Sequence, residues 1–195
     1  ASDKTYTGSV IELADADIAA TYTVGQQVND LVLGKDYDIS YEGERVDVTE
    51  AGITLTITGK GNYTGSTTAT FHILAKSIAA GQTDVSFGTI ADQTYTGSAI
   101  ALENDDITAT YTVKDVKVNT LKLGTDYIVE YAESVNYTDV TGAAVSFTVR
   151  GTGNYTGSRT LTFTIVQKDI GSGVSFDASD KTYTGSVIEL ADADI

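Results

Sequence analysis

Hydrophobic and polar residues alternate with period two along most of this chain, and the alternation comes in two matching sets. In the first, Ile18, Ala20, Tyr22 and Val24 share a face with Thr21 and Thr23 between them. Tyr37, Ile39 and Tyr41 alternate with Asp38 and Ser40, Ile53, Leu55 and Ile57 with Thr54 and Thr56, and Ala69, Phe71 and Ile73 with Thr70 and His72. The second set is Ile107/Ala109/Tyr111/Val113, Tyr127/Val129/Tyr131, Val145/Phe147/Val149 and Leu161/Phe163/Ile165. Period two marks a strand with one buried face, and the β-branched and aromatic residues that carry it suit a pleated surface. No stretch sustains a helical stripe with start and stop signals; the one weak helical segment is Glu12–Ala20. GNYTGS, at Gly61–Ser66 and again at Gly153–Ser158, falls between two strand patterns and predicts a hairpin turn, because Asn and Gly tolerate positive φ.

The two sets belong to an internal repeat. Ala1–Ile18 and Ala178–Ile195 are identical, a period of 177 residues. Within that period DKTYTGSVIEL (Asp3–Leu13) returns as DQTYTGSAIAL (Asp92–Leu102), LGKDYDISY (Leu33–Tyr41) as LGTDYIVEY (Leu123–Tyr131), and GKGNYTGSTTATFHI (Gly59–Ile73) as GTGNYTGSRTLTFTI (Gly151–Ile165). The offset between equivalents grows from Tyr6/Tyr95 through Tyr37/Tyr127 to Tyr63/Tyr155, which predicts small insertions in loops between conserved strand blocks. VSFGTIADQTYTG (Val85–Gly97) matches VSFDASDKTYTG (Val174–Gly185), and the first repeat has no counterpart of the VSF phrase. The expected domains are therefore residues 1–78, lacking a first strand; 79–170, complete; and 171–195, the opening of a third repeat. Six or seven short strands in about 90 residues predict tandem immunoglobulin-like β-sandwiches, with β-grasp-like repeats as the alternative if Glu12–Ala20 is a helix. The short connections Leu74–Asp84 and Val166–Gly173 predict a stiff rod, with Ile78 and Ile170 packed at the domain junctions.

The combination TYTGSxI, LGxDYxxxY and GxGNYTGSxTxTFxI, which covers nearly all of both repeats, resembles the MBG-type bacterial immunoglobulin-like repeats. The chain departs from that pattern where a proline usually follows TYTGxxI: Glu12-Leu13 and Ala101-Leu102 stand there. The resemblance implies tandem domains in an extended stalk on a large bacterial surface protein, and it brings no catalytic residues.

Composition narrows the functional classes. A net charge of −15 excludes nucleic acid and anionic membranes as expected partners, since both require clustered Lys and Arg. The absence of cysteine excludes a disulfide scaffold and thiolate metal sites, while remaining compatible with secretion. No apolar run reaches the ~20 residues of a membrane span. No signal peptide is visible, and Ala1 falls inside a repeat, which leaves room for one upstream.

Candidate chemistry is sparse. The one histidine, His72, aligns with Thr164 and lies on the polar face of its strand, so no catalytic residue is assigned and the chain is read as a non-enzyme. GKGNYTGS does not follow a strand and open a helix as a phosphate loop would, and no cofactor is assigned. Asp15, Asp17, Asn104, Asp105 and Asp106 supply oxygen ligands, but only Asp17/Asp106 is acidic in both repeats, and the spacing matches no calcium loop. They read as solvated acidic loops, with calcium as the alternative and no metal ligand assigned. A Lys–Asn cross-link common to both repeats has only Lys76/Lys168 to draw on, past the last strand. Asn62, Asn136 and Asn154 match the N-glycosylation acceptor and read as turn residues.

Tyrosines are the remaining candidates for binding. Tyr22, Tyr37, Tyr41, Tyr111, Tyr127 and Tyr131 are in phase with core positions, whereas Tyr6, Tyr63, Tyr95 and Tyr155 lie near turns and are the candidates for exposure. The functional expectation is a structural stalk or spacer of an extracellular protein of the bacterial surface or cell wall, displaying an adhesive region. The alternatives are a module binding a host glycan or mucin, and self-assembly into a fibre, in which the tail Val174–Ile195 of one molecule pairs with the open edge of another's first domain.

Overall fold

A computed structural model describes residues 1–113 and 116–194. Strands dominate, and no α-helix occurs among the described residues. The architecture is that of an all-β sandwich, assembled from several small sheets.

Each repeat builds on the same three-stranded antiparallel sheet. In the first repeat Tyr37–Tyr41, Ile53–Gly59 and Ser66–Phe71 pair in that order, with Tyr37 opposite Gly59 and Ile53 opposite Phe71. In the second, Tyr127–Glu130, Val145–Gly151 and Ser158–Phe163 pair likewise, with Tyr127 opposite Gly151 and Val145 opposite Phe163. The alternating pattern places the side chains as expected: Ile53, Leu55, Phe71 and Ile73 are buried in one repeat, and Phe147, Val149, Phe163 and Ile165 in the other. A short parallel bridge closes each unit, Lys4–Thr5 with Ile73–Leu74 and Gln93–Thr94 with Ile165–Val166.

The GNYTGS segments are hairpin turns, with Gly61 and Gly65 at φ 65° and 84° and Gly153 and Gly157 at 60° and 79°. The strand residue just before each turn must also be glycine. A Cβ on Gly59 would sit 2.8 Å from the Thr64 nitrogen, and one on Gly151 2.7 Å from the Thr156 nitrogen.

Three expectations are corrected, and the helical alternative falls away. Glu12–Ala20 is no helix: it holds one 3-10 turn at Asp15–Asp17, matched by Asn104–Asp106. The first insertion between the repeats falls in a strand. Ala109–Val113 and Val116–Thr120 pair through a register shift after Tyr111, where the regular hairpin Thr21–Val24/Gln27–Asp30 has none. A β-bulge absorbs one residue without lengthening the turn. The second insertion is in a loop as expected, between Glu130 and Val145.

The other two corrections share one cause. Ile107, Ala109 and Tyr111 are buried in the second repeat, but Tyr22 and Val24 of the first are 45% and 55% exposed. The strand Val85–Phe87 covers Ala109–Tyr111, and no described strand covers Thr21–Val24. Ile78 is fully buried at the junction, yet Ile170 is 68% exposed, because residues 171–194 lay no packed surface over it. That tail contains no described strand, although its VSF phrase is one in the second repeat.

Candidate functional site: the joint between the repeats

The most elaborately constructed surface in the chain is where the two repeats meet. Lys76–Ser77, after the last strand of the first repeat, crosses over and pairs in parallel with Tyr155–Thr156 in the GNYTGS turn of the second. The Lys76 amide donates to the Asn154 carbonyl at 2.9 Å, and the Ile78 amide to the Thr156 carbonyl at 2.8 Å. Asn154 also reaches back with its side chain. Its Oδ1 accepts from the Val48 amide and its Nδ2 donates to Asp47 Oδ1, both at 2.8 Å. This Asn-Tyr-Thr asparagine is thus a joint residue. Asn136 is an ordinary turn residue, its Oδ1 accepting from the amides of Thr138 and Asp139.

Three tyrosines fill the centre of the joint. The Tyr6 and Tyr155 rings meet edge to face at 5.5 Å, Tyr111 and Tyr155 at 6.1 Å, and Tyr6 and Tyr111 stack at 6.5 Å. The Tyr111 hydroxyl donates to the Tyr6 carbonyl at 2.9 Å, and Asn119 Nδ2 donates to the hydroxyls of Tyr6 and Tyr155 at 3.2 and 3.3 Å. Of the four candidates for exposure near turns, Tyr6 and Tyr155 are therefore buried, Tyr95 is exposed and Tyr63 is half-buried. Aromatic pairs of this geometry contribute about 0.5–1.5 kcal/mol each beyond area burial.

A buried cation completes the joint. Lys76 is only 11% exposed at its side chain; its ammonium pairs with Asp84 at 2.7 Å, donates to Gln82 at 3.2 Å and lies 5.5 Å from the Tyr111 ring centre. Arg159 ties the connecting segment to the second repeat, donating from Nε to the Ile78 carbonyl and from its guanidinium to the Ala79 carbonyl at 2.8 and 2.9 Å. The same guanidinium lies over the Phe87 ring at 5.0 Å. Burial pushes the Tyr111 hydroxyl above its ordinary pKa, with the Asp84 charge adding to the effect. Burial raises Tyr155 further, against the opposing hydrogen bond from Asn119. Neutral, hydrogen-bonded tyrosines suit packing; no nucleophile–base pair is assembled here.

The other candidates are occupied by the fold. Asp17 bonds Lys4 and accepts from the Ala14 amide at 2.9 Å, which together hold its carboxyl below the usual range. Asp15 accepts from the Leu33 amide at 2.7 Å and the Tyr37 hydroxyl at 3.3 Å; Asn104 accepts from the Leu123 amide at 2.6 Å, and Asp106 from the Glu103 amide at 2.8 Å. These side chains act as turn acceptors, and among the described residues no three acids or histidines converge on a common point. His72 lies on the outer face, where its amide and ring both meet Asp3.

Sequence reasoning missed Asn119, Lys76, Asp84 and Arg159 as a set. Nothing in their local pattern marks them, because each acts on residues of the other repeat or of the connecting segment. Fold and site together define an all-β chain whose principal constructed feature is a packed joint between unequal repeats. Comparison with protein-family models, with curated proteins and with solved structures finds no match.

Proposed function

We propose that this chain is a stalk or spacer of an extracellular bacterial surface protein, in which immunoglobulin-like repeats stacked through stiff joints hold an adhesive region away from the cell. The observation that carries the reading is the buried Tyr6–Tyr111–Tyr155 joint with its hydrogen bonds and ion pair. A flexible tether needs no such contacts, whereas a rod requires them at every junction. The likeness to MBG-type repeats and the strongly acidic, cysteine-free composition support the same placement.

The mechanism is mechanical. Each repeat buries its own sheet, the joint fixes the angle to the next, and repetition sets the length. The test is rotational diffusion of the whole chain by NMR relaxation. A rod predicts that the two repeats share one anisotropic tumbling tensor, and that Tyr155→Ala lets them tumble separately. Independent tumbling of the unsubstituted repeats would overturn the reading. Antibodies to the chain should label intact producing cells; labelling only after lysis would contradict the surface location.

A further inference from the structure

The segment connecting the repeats is fastened to the second repeat at two separate places. The first is Lys76–Ile78, held on the GNYTGS turn by the Asn154 and Thr156 carbonyls, with Ile78 completely buried and Arg159 donating to the Ile78 and Ala79 carbonyls. The second is Asp84–Phe87, where the Thr112 amide donates to the Asp84 carbonyl at 2.8 Å and Val85–Phe87 pairs with Ala109–Tyr111. Between the two, Ala79–Thr83 folds back on itself: the Ala79 amide donates to Ser77 Oγ at 3.2 Å, and Gly81 turns the chain at φ 90°. Lys76 closes the loop through its ion pair with Asp84 and its bond to Gln82. The nine residues Lys76–Asp84 would span about 30 Å if extended, yet that ion pair draws their ends together.

This arrangement decides where tension travels. A pull on the chain reaches Lys76 from the first repeat and leaves the second beyond Val166, the end of its last strand. Lys76–Ser77 is therefore drawn towards the first repeat and Tyr155–Thr156 away from it. The two strands are parallel, so opposite pulls slide one along the other and strain both backbone bonds together. While those bonds hold, load crosses at Asn154–Thr156 and runs along Ser158–Phe163 to Ile165–Val166. Ala79–Thr83, Val85–Phe87 and the bridge at Gln93–Thr94 carry none of it. From Tyr155 to Val166 the track is covalent chain, so the joint is where it depends on non-covalent bonds. The tyrosine cluster and the Asn154–Asp47 bond span the same gap and part with the crossing.

We propose that the joint is a force-released latch. Under tension Lys76–Ile78 slides off the turn, Ala79–Thr83 straightens, and the chain lengthens by about 20 Å while the second repeat stays folded behind its anchor at Asp84–Phe87. The tether keeps the repeats close and leaves both surfaces intact, so the joint re-forms when tension falls. A rod that is stiff at rest thus becomes extensible under load. The latch rests on the stalk reading for the tension that works it. Its opening is read on the chain alone, whereas the stalk reading is judged by tumbling at rest and by surface labelling, so each can fail separately.

The test is optical-trap stretching of the full chain held through Ser2→Cys and Gln167→Cys; the chain has no other cysteine, and both sites are exposed. The trace should show a reversible step of about 20 Å before the second repeat unfolds in a step of about 300 Å. Inserting Gly-Ser-Gly-Ser-Gly-Ser between the exposed residues Ala80 and Gly81 should lengthen the small step by about 20 Å. Arg159→Met keeps the apolar stem but loses both donors to the segment, and should open the step about ten- to a hundredfold faster at equal force. The proposal is overturned if the second repeat unfolds with no smaller step before it, if the insertion leaves the small step unchanged, or if Arg159→Met opens at the parent rate.

Discussion

The hydroxyl of Tyr111 donates a buried 2.9 Å hydrogen bond to the carbonyl of Tyr6, across 105 residues of sequence and from one repeat to the other. Its counterpart, Tyr22, is 45% exposed. One residue type in one sequence context thus has two fates, decided by whether another strand and another repeat lie against it. Tyr111→Phe should cost about 1–3 kcal/mol, because the Tyr6 carbonyl loses its donor while remaining buried. Tyr22→Phe should stay within about 0.5 kcal/mol of the parent. Urea denaturation of the two variants checks the pair; equal effects would mean that the joint adds nothing to stability.

The alkaline limb of stability follows from the same burial. Tyr37, Tyr111, Tyr127, Tyr131 and Tyr155 all have hydroxyls raised above the ordinary 10.0, chiefly because burial disfavours the phenolate. The folded chain holds these protons more tightly than the unfolded chain. Their contribution is fully present below pH 10 and is lost as pH rises from there through the folded values. Phenolate absorbance should therefore show a group of tyrosines ionising only together with the loss of β-sheet signal.

On the acid side the sign reverses. Asp17 is held below its ordinary value by Lys4 and then by the Ala14 amide, and Asp3 by the backbone and side chain of His72. Their stabilisation is present above the unfolded carboxylate value near 3.8 and is lost as pH falls through the lower folded values. Asp17→Asn should flatten that part of the stability profile measured by thermal melts between about pH 5 and pH 2.

Among the described residues the buried hydroxyl of Tyr127 meets no hydrogen-bond partner, whereas that of the equivalent Tyr37 donates to Asp15. Asn104 stands in the place of Asp15. Asn104→Asp should replace a neutral amide oxygen by a stronger, charged acceptor within the same arrangement as Asp15 and stabilise the second repeat by about 0.5–1.5 kcal/mol, and Asp15→Asn should destabilise the first by a similar amount. Calorimetric melts of both variants decide it. A destabilised Asn104→Asp chain would show that desolvating the new carboxylate outweighs the bond.

Gly151→Ala should cost about 1–3 kcal/mol, since its Cβ would collide with backbone that cannot yield as a side-chain tip can. The collision falls at Tyr155–Thr156, which carries the strand pairing of the joint. The substitution should therefore loosen the two repeats from each other as well as destabilise the hairpin, and a change in their relative tumbling would show it.

The alternating runs Ile53–Ile57, Phe71–Ile73, Val145–Val149 and Phe163–Ile165 fixed their own strand character and core face, because side-chain direction in a strand depends only on parity along the chain. The GNYTGS turns were legible for an equally local reason: their glycines adopt backbone angles that other residues resist. The repeat itself needed nothing beyond comparing the sequence with itself. What local pattern could not supply was coverage. Tyr22 and Tyr111, Ile170 and Ile78, and the two VSF phrases are near-equivalent as sequence, yet only one of each pair is packed. Burial is a property of what arrives from elsewhere in the chain, and only the tertiary structure decides that. It brought Tyr6, Tyr111, Asn119 and Tyr155 to one point.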